Sequence, residues 1–381
     1  MTKEFLLKVY TQKVATPANT FIYSTNQFAF STITNNINSG YGTLTITLPK
    51  KFDDFDEGTI IKFNNQVKIY AYDDENPEGI VKYSGYITSI KANVGETESV
   101  TIECAGYQSM LSLDIARDGF GNYNLSSGAV DWYVAFQLWY DAYMLYNPTS
   151  PFIYNKPADL GYNVEWSSKS STWQQAIDYI YKQGNASWYY YFDANCELFV
   201  KPVASTAKHI FTFGKDIYSV NFDKNISEIK NEVLFWNGVT GGGSIAKKYT
   251  DATSVTNYGR RVELKQDGRV TSTTTADAIG NRFIADNKDV FDVVTIQVLD
   301  NGFSDMGYDT DSIQVGDTFL IRNINANNSL SKNMLITNIT DNIDYVEIVA
   351  EDVTKTTSRV LYNLQEQLRQ LQTQNAPNAY V

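Results

Sequence analysis

A Ser-His-Asp or Cys-His site in this chain must use its one histidine, His209, and a thiol nucleophile one of its two cysteines, Cys104 or Cys196. His209 stands in Ala207-Lys208-His209-Ile210-Phe211, between two β segments, where an ordinary strand histidine is favoured over a catalytic base. Cys104 lies within a strand pattern and Cys196 beside a turn, without paired spacing or a nucleophile context, so both read as free thiols. No HExxH, paired CxxC or Walker loop anchors zinc or nucleotide chemistry. Two carboxylates suffice for glycoside hydrolysis at about 5 or 6.5–9.5 Å separation, but 43 acidic residues offer such pairs by chance. Asp53, Asp54, Asp56, Glu57 and Asp73, Asp74, Glu75 fall in turn clusters, where solvation is the simpler role. Asp305, Asp309 and Asp311 have oxygen-rich spacing that leaves a calcium site open as an alternative, but they lack the glycine and terminal glutamate of an EF-hand. The reading is therefore no catalytic residue, no metal and no cofactor.

Composition narrows the partners. The net charge of −12 argues against a duplex-DNA or anionic-membrane binder, which needs a basic face. It is compatible with a surface past which DNA slides without sticking. No 18-residue apolar run exists, so no segment is expected to insert in a membrane. The first residues lack a signal-peptide pattern, which predicts synthesis and assembly in a cytoplasm. Tyrosines (27) and phenylalanines (20) are abundant, either for sheet packing or as a sugar-binding platform.

At 381 residues, several domains must hold these groups. Residues 1–108 read as short alternating strands: Phe5–Tyr10, Phe28–Ile33, Thr43–Leu48, Ile60–Phe63, Lys68–Tyr72, Val81–Ile90 and Val100–Ala105. Seven short strands without a helix predict a closed barrel or sandwich. Residues 109–208 predict a small α+β domain. There Trp132, Phe136, Trp139, Tyr143 and Tyr146 form a helical stripe, and Thr172 with Gln175 fits a capping box opening a helix at Trp173–Gln183. A hairpin follows at Ser187–Pro202. Residues 209–240 and 310–352 predict a second, discontinuous barrel, interrupted by a small α/β insert at 241–309 with a helix at Thr275–Asp286. In the tail, 353–381, Leu361, Leu364, Leu368 and Leu371 recur at coiled-coil spacing, for oligomerisation or for docking on their own domain.

The two barrel-like regions read as copies of one module. Gly58–Phe63, Gly85–Ile90 and Ser99–Ala105 match Gly316–Ile321, Met334–Ile339 and Asp344–Ala350 in order and pattern. Ile87 and Ile90 are expected to be equivalent to Ile336 and Ile339. The predicted fold class is mainly β with α+β elements: two related barrel-like tube domains, two smaller peripheral domains and a C-terminal helix.

Several pieces together resemble the hub proteins of bacteriophage tail tips and baseplates. They are Asn38-Ser39-Gly40-Tyr41-Gly42-Thr43-Leu44, Tyr83-Ser84-Gly85-Tyr86-Ile87-Thr88, the helix and hairpin from Trp173 to Pro202, Ile229–Val233, Asn257–Arg261, Val315-Gly316-Asp317 and Ile336–Ile339. The resemblance implies a homotrimer whose six barrels ring a channel and adapt the sixfold tail tube to a threefold tip. It implies as partners the tail tube or distal tail protein, a tip spike, fibre or tape-measure protein, and double-stranded DNA passing without specific binding. It places the protein at the virion tail tip, as a structural protein rather than an enzyme. The alternative, from the aromatics and carboxylates, is a carbohydrate-binding or glycoside-hydrolysing tail protein acting on host cell-wall sugars.

Overall fold

The computed structural model describes residues 4–12, 20–49, 61–72, 77–94, 98–155, 163–169, 171–183, 188–225, 229–238, 241–268, 270–289, 291–300, 307–325, 328–342 and 345–352. The leucines at 361, 364, 368 and 371, and Asp305, lie outside them. In chain order the first strands are β1 (Glu4–Gln12), β2 (Phe21–Thr25), β3 (Ala29–Phe30), β4 (Ile33–Asn36), β5 (Gly40–Tyr41), β6 (Leu44–Leu48), β7 (Asn65–Tyr72), β8 (Ile80–Asn93) and β9 (Ser99–Gly106). Seven of these form one sheet in the order β2-β1-β7-β8-β9-β6-β3. Alternation sends Leu44, Ile46 and Leu48 of β6 and Val100, Ile102 and Cys104 of β9 into one dry cluster with Val67, Ile69 and Ile87.

Next come β10 (Asn124–Asp131), α1 (Trp132–Tyr146), β11 (Ile153–Asn155), β12 (Asn163–Lys169), α2 (Trp173–Gln183), β13 (Trp188–Phe192) and β14 (Glu197–Pro202). Asp131 caps α1 by accepting from the Tyr133 N–H. The stripe Trp132, Phe136, Trp139 and Tyr143 is buried. The capping box at α2 forms both ways: Gln175 N–H donates to Thr172 Oγ1 at 3.2 Å, and Thr172 N–H to Gln175 Oε1 at 3.0 Å. Trp132 and Trp139 keep their indole N–H groups bonded to the carbonyls of Ile180 and Trp173. Each such ring removes about 150–250 Å² from water, roughly 4–6 kcal/mol at ~25 cal/mol/Å².

The rest comprises β15 (His209–Thr212), β16 (Ile217–Asn225), β17 (Glu232–Trp236), β18 (Ala246–Thr250), α3 (Ala252–Tyr258), β19 (Val262–Gln266), α4 (Thr273–Asn287), β20 (Phe291–Leu299), β21 (Thr318–Asn325), β22 (Asn328–Asp341) and β23 (Tyr345–Asp352). Ser272 caps α4. An eight-stranded sheet runs along β15-β21-β22-β23-β20-β16, with β4 and β5 attached through β22. A separate small sheet has the order β18-β17-β19. Hence β20 belongs to the large sheet and β17 to the small one.

The structure overturns the barrel-like tube domains expected from the strand count. Among the described residues neither large sheet closes: the end strands β2 and β3 of the first path do not pair with each other, nor do β15 and β16 of the second. Closure was inferred because open edges invite aggregation. Here the edge problem is handled otherwise. One end strand, β3, has only two residues, and the edge of β22 is covered by a strand from the other half of the chain. Residues 61–63, expected as strand, form part of a turn leading into β7.

Candidate assembly site

Both large sheets contain the same four-strand core. In the first, β7-β8-β9-β6 stand side by side; in the second, β21-β22-β23-β20. The spatial order is a Greek key, three hairpin-linked strands with the earliest returning beside the last. The likeness extends to single atoms. β8 slips register between Ile87 and Ser89, and β22 between Ile336 and Asn338. The extra residue is a threonine each time, and its hydroxyl donates to the facing strand: Thr88 to the Glu103 carbonyl at 3.0 Å, Thr337 to the Val349 carbonyl at 3.1 Å. Asn64 and Gly316, at φ 66 and 87, each donate their N–H to the carbonyl before the bulge, Ile87 and Ile336. Ile90 and Ile339 then pair with Ile102 and Ile348.

The sheets meet through β4 and β5. Ile33, Thr34, Asn35 and Asn36 pair antiparallel with Asp341, Thr340, Ile339 and Asn338, extending β22 beyond its bulge. Asn338 also donates its side-chain amide to the Asn36 side chain. Asn38, left-handed at φ 61, closes the hairpin and holds the α+β unit: its side chain accepts from Tyr190 N–H at 3.2 Å. The carbonyl of Asn38 accepts from Gln108 Nε2 at 2.5 Å. Gly316 accommodates the same unit, since a Cβ there would lie 2.3 Å from the Tyr189 ring.

Beside the hairpin lies a buried ionic clamp. Lys82 of β8 pairs with Asp311 at 2.5 Å and Asp341 at 2.7 Å, with only 9% of its side chain exposed. Burial alone would lower its pKa, but the two carboxylates outweigh it and hold the ammonium above the ordinary lysine value. A cavity of about 300 Å³ opens here, lined among others by Tyr41, Lys82, Asp193, Asp311 and Asp341.

Of the groups first considered for chemistry, Asp53, Asp54, Asp56, Glu57, Asp73, Asp74, Glu75 and Asp305 lie outside the described residues, and His209, Asp309 and Asp311 are engaged elsewhere. His209 is buried in β15, with Nδ1 3.0 Å from the Tyr308 hydroxyl and Nε2 2.9 Å from Asp317, so both ring nitrogens are occupied. Asp317 also bonds Lys208 and the Gln314 N–H. Burial opposes its ionisation, yet His209 and Lys208 hold its carboxyl below the usual range. Burial pushes the Cys104 thiol up to about 12. Asp309 caps a 3₁₀ turn and Asp311 bonds Lys82. Among the described residues no group of His, Cys, Asp or Glu is arranged to hold a metal. The aromatic stripe lies in the core of the α+β unit rather than on a sugar platform.

Sequence reasoning missed Lys82, Asp341 and Asn36, and gave Asn38 and Asn338 no contact although it quoted the motifs that hold them. The run Asn38-Ser39-Gly40-Tyr41-Gly42 carries a turn signal, but nothing in it or before it announces a strand added to a partner 302 residues away.

No protein-family model and no curated protein matches the sequence. Solved structures do match its fold. A prophage tail protein, gp18, from Listeria monocytogenes EGD-e aligns at TM-score 0.57 and 12% identity, covering 97% of this chain and 99% of that one. The 43 kDa tail protein of prophage MuSo2 from Shewanella oneidensis aligns at 0.61 and 13%, covering 93% and 99%. A tail protein from Neisseria meningitidis MC58 aligns at 0.60 and 11%, covering 92% and 97%. The chain thus has the fold of phage tail proteins over nearly its whole length.

Proposed function

We propose that this chain is a structural protein of a phage or phage-derived tail tip, a homotrimeric hub and not an enzyme. The observation that carries this reading is the duplicated Greek-key core, joined within one chain by strand addition, in a fold shared with prophage tail proteins. Three copies supply six related open sheets around a channel. Such a ring meets a sixfold tube on one face and a threefold tip on the other.

The domain division belongs to the same proposal. Residues 1–108 hold the first sheet, 109–208 form a peripheral unit, and the parts after 209 build the second sheet around an insert. The tail tube or a distal tail protein occupies one face; a spike, fibre or tape-measure protein occupies the other. Double-stranded DNA passes through during ejection, and the net charge of −12 disfavours adhesion to it. The leucines at 361, 364, 368 and 371 assist the trimer. The test is the solution mass of the full chain by sedimentation equilibrium. A species at three times 43.0 kDa is expected. A chain that stays monomeric at high concentration, alone and with tail-tube protein, would refute the hub.

A further inference from the structure

The duplication exposes one difference between the sheets. In the second, the outer edge of β22 past the bulge is filled, Asn338 to Asp341 pairing with β4. In the first, the counterpart stretch Ser89 to Ala92 pairs with β9 on one side. Among the described residues nothing pairs with its other side, since the ladder with β7 ends at Tyr86. Thr88, Lys91, Ala92 and Asn93 are exposed. Lys91, the charge that would normally guard such an edge, is turned onto Glu103 of the inner neighbour.

A candidate occupant sits at the matching place in the chain. The hairpin that fills β22 leaves the first sheet between the end strand β3 and the first key strand β6. In the second sheet the segment between end strand β16 and key strand β20 is the small sheet with its helices. Its outer strand β19 has an unpaired edge among the described residues. It also carries uncovered apolar side chains, Leu264 at 68% and Val262 at 40% exposure, beside Leu234 of β17. Isolated exposed apolar residues are ordinary, but a cluster on an open strand edge marks a contact surface.

We propose that β19 of one copy adds to the free edge of β8, Ser89–Asn93, in the next copy, repeating between chains the strand addition that β4 makes within one. This rests on the trimeric reading above. Main-chain hydrogen bonds would supply the affinity, and Leu264 and Val262 the buried apolar area. The direction of the amides follows from the filled copy. The Thr337 carbonyl faces β4, accepting from Ile37 N–H at 2.9 Å, so past the bulge Ile339 and Asp341 face it too. Their counterparts on β8 are Ile90 and Ala92.

The test uses the full chain. Ala92→Pro removes an N–H that points away from β9, so the internal ladder is spared. The expected result is about tenfold weaker association per seam, about a thousandfold over three seams, with unchanged far-ultraviolet circular dichroism. Hydrogen exchange on the unaltered protein gives a second readout. The amides of Ile90, Ala92 and Val262–Gln266 should exchange more slowly in the trimer than in the diluted monomer. A trimer in which either edge exchanges as fast as in the monomer, or in which Ala92→Pro assembles normally, overturns this inference and leaves the hub reading standing. A chain that never trimerises overturns both.

Discussion

Replacing Lys82 by methionine tests whether the clamp joins the two sheets. The side chain is 9% exposed, and its partners Asp311 and Asp341 are 3% and 14% exposed. At an effective dielectric of about 20, each contact contributes roughly 6 kcal/mol of gross attraction. Desolvation of three charges offsets most of it, so the net value of the clamp is small. Breaking it is another matter: Lys82→Met takes the Lys82 cation from between two buried carboxylates, which costs about 3–5 kcal/mol. Urea denaturation followed by tryptophan fluorescence should show that loss as a lower midpoint. Adding Asp311→Asn and Asp341→Asn to Lys82→Met should recover at least half, because the stranded charge is gone. Alkaline titration adds a signed check. The folded pKa of Lys82 lies above the ordinary 10.5, so its contribution is full below pH 10.5 and fades as pH rises through the folded value. The unaltered protein should therefore lose more stability above pH 10.5 than Lys82→Met does. A penalty below about 1 kcal/mol, or a triple variant no better than the single one, would refute the reasoning.

Gly316→Ala should cost about 2–4 kcal/mol in thermal unfolding, combining a left-handed φ with a clash against Tyr189; unchanged stability would count against the packing described. Glu232→Gln should flatten the acid limb of the stability curve. Arg260 and Lys248 hold the Glu232 carboxyl at about 2, below the ordinary 4.5, so its contribution is full above pH 4.5 and fades as pH falls toward 2. Parallel melting-temperature curves for the two proteins across that window would contradict it.

What the sequence disclosed and what it hid divide along the range of the interactions. Helix α2 was legible to the residue, because its stripe and the Thr172–Gln175 box lie within a few turns of chain. The aromatic face of α1 was legible for the same reason. The second strand of the duplication aligns at the bulge threonines, but the third was set one residue off, Ile102 matching Ile348 rather than Glu347, and the first six residues early. The alternation through Ile61–Phe63 imitates a strand, whereas these residues lie in a turn and the position matching Gly316 is Asn64. Closure was misjudged because edge pairing is decided between distant segments. The hairpin of β4 and β5 is rich in asparagine, a turn former, and becomes strand only through the partner it meets on β22. Lys82 gave no local sign, since its partners lie more than 200 residues along the chain.

The hairpin on β22 does more than bond two sheets. With the clamp beside it, it fixes the angle at which one sheet follows the other inside a single polypeptide. If neighbouring chains repeat that junction, each addition turns the growing assembly by the same amount. An assembly built head to tail closes when those turns complete a circle, and otherwise climbs into a filament. On that condition the count at which growth stops would be encoded before any two chains meet. Loosening that junction, by Lys82→Met or within the Asn36–Asn338 contact, should broaden the count and yield open polymers beside the closed particle.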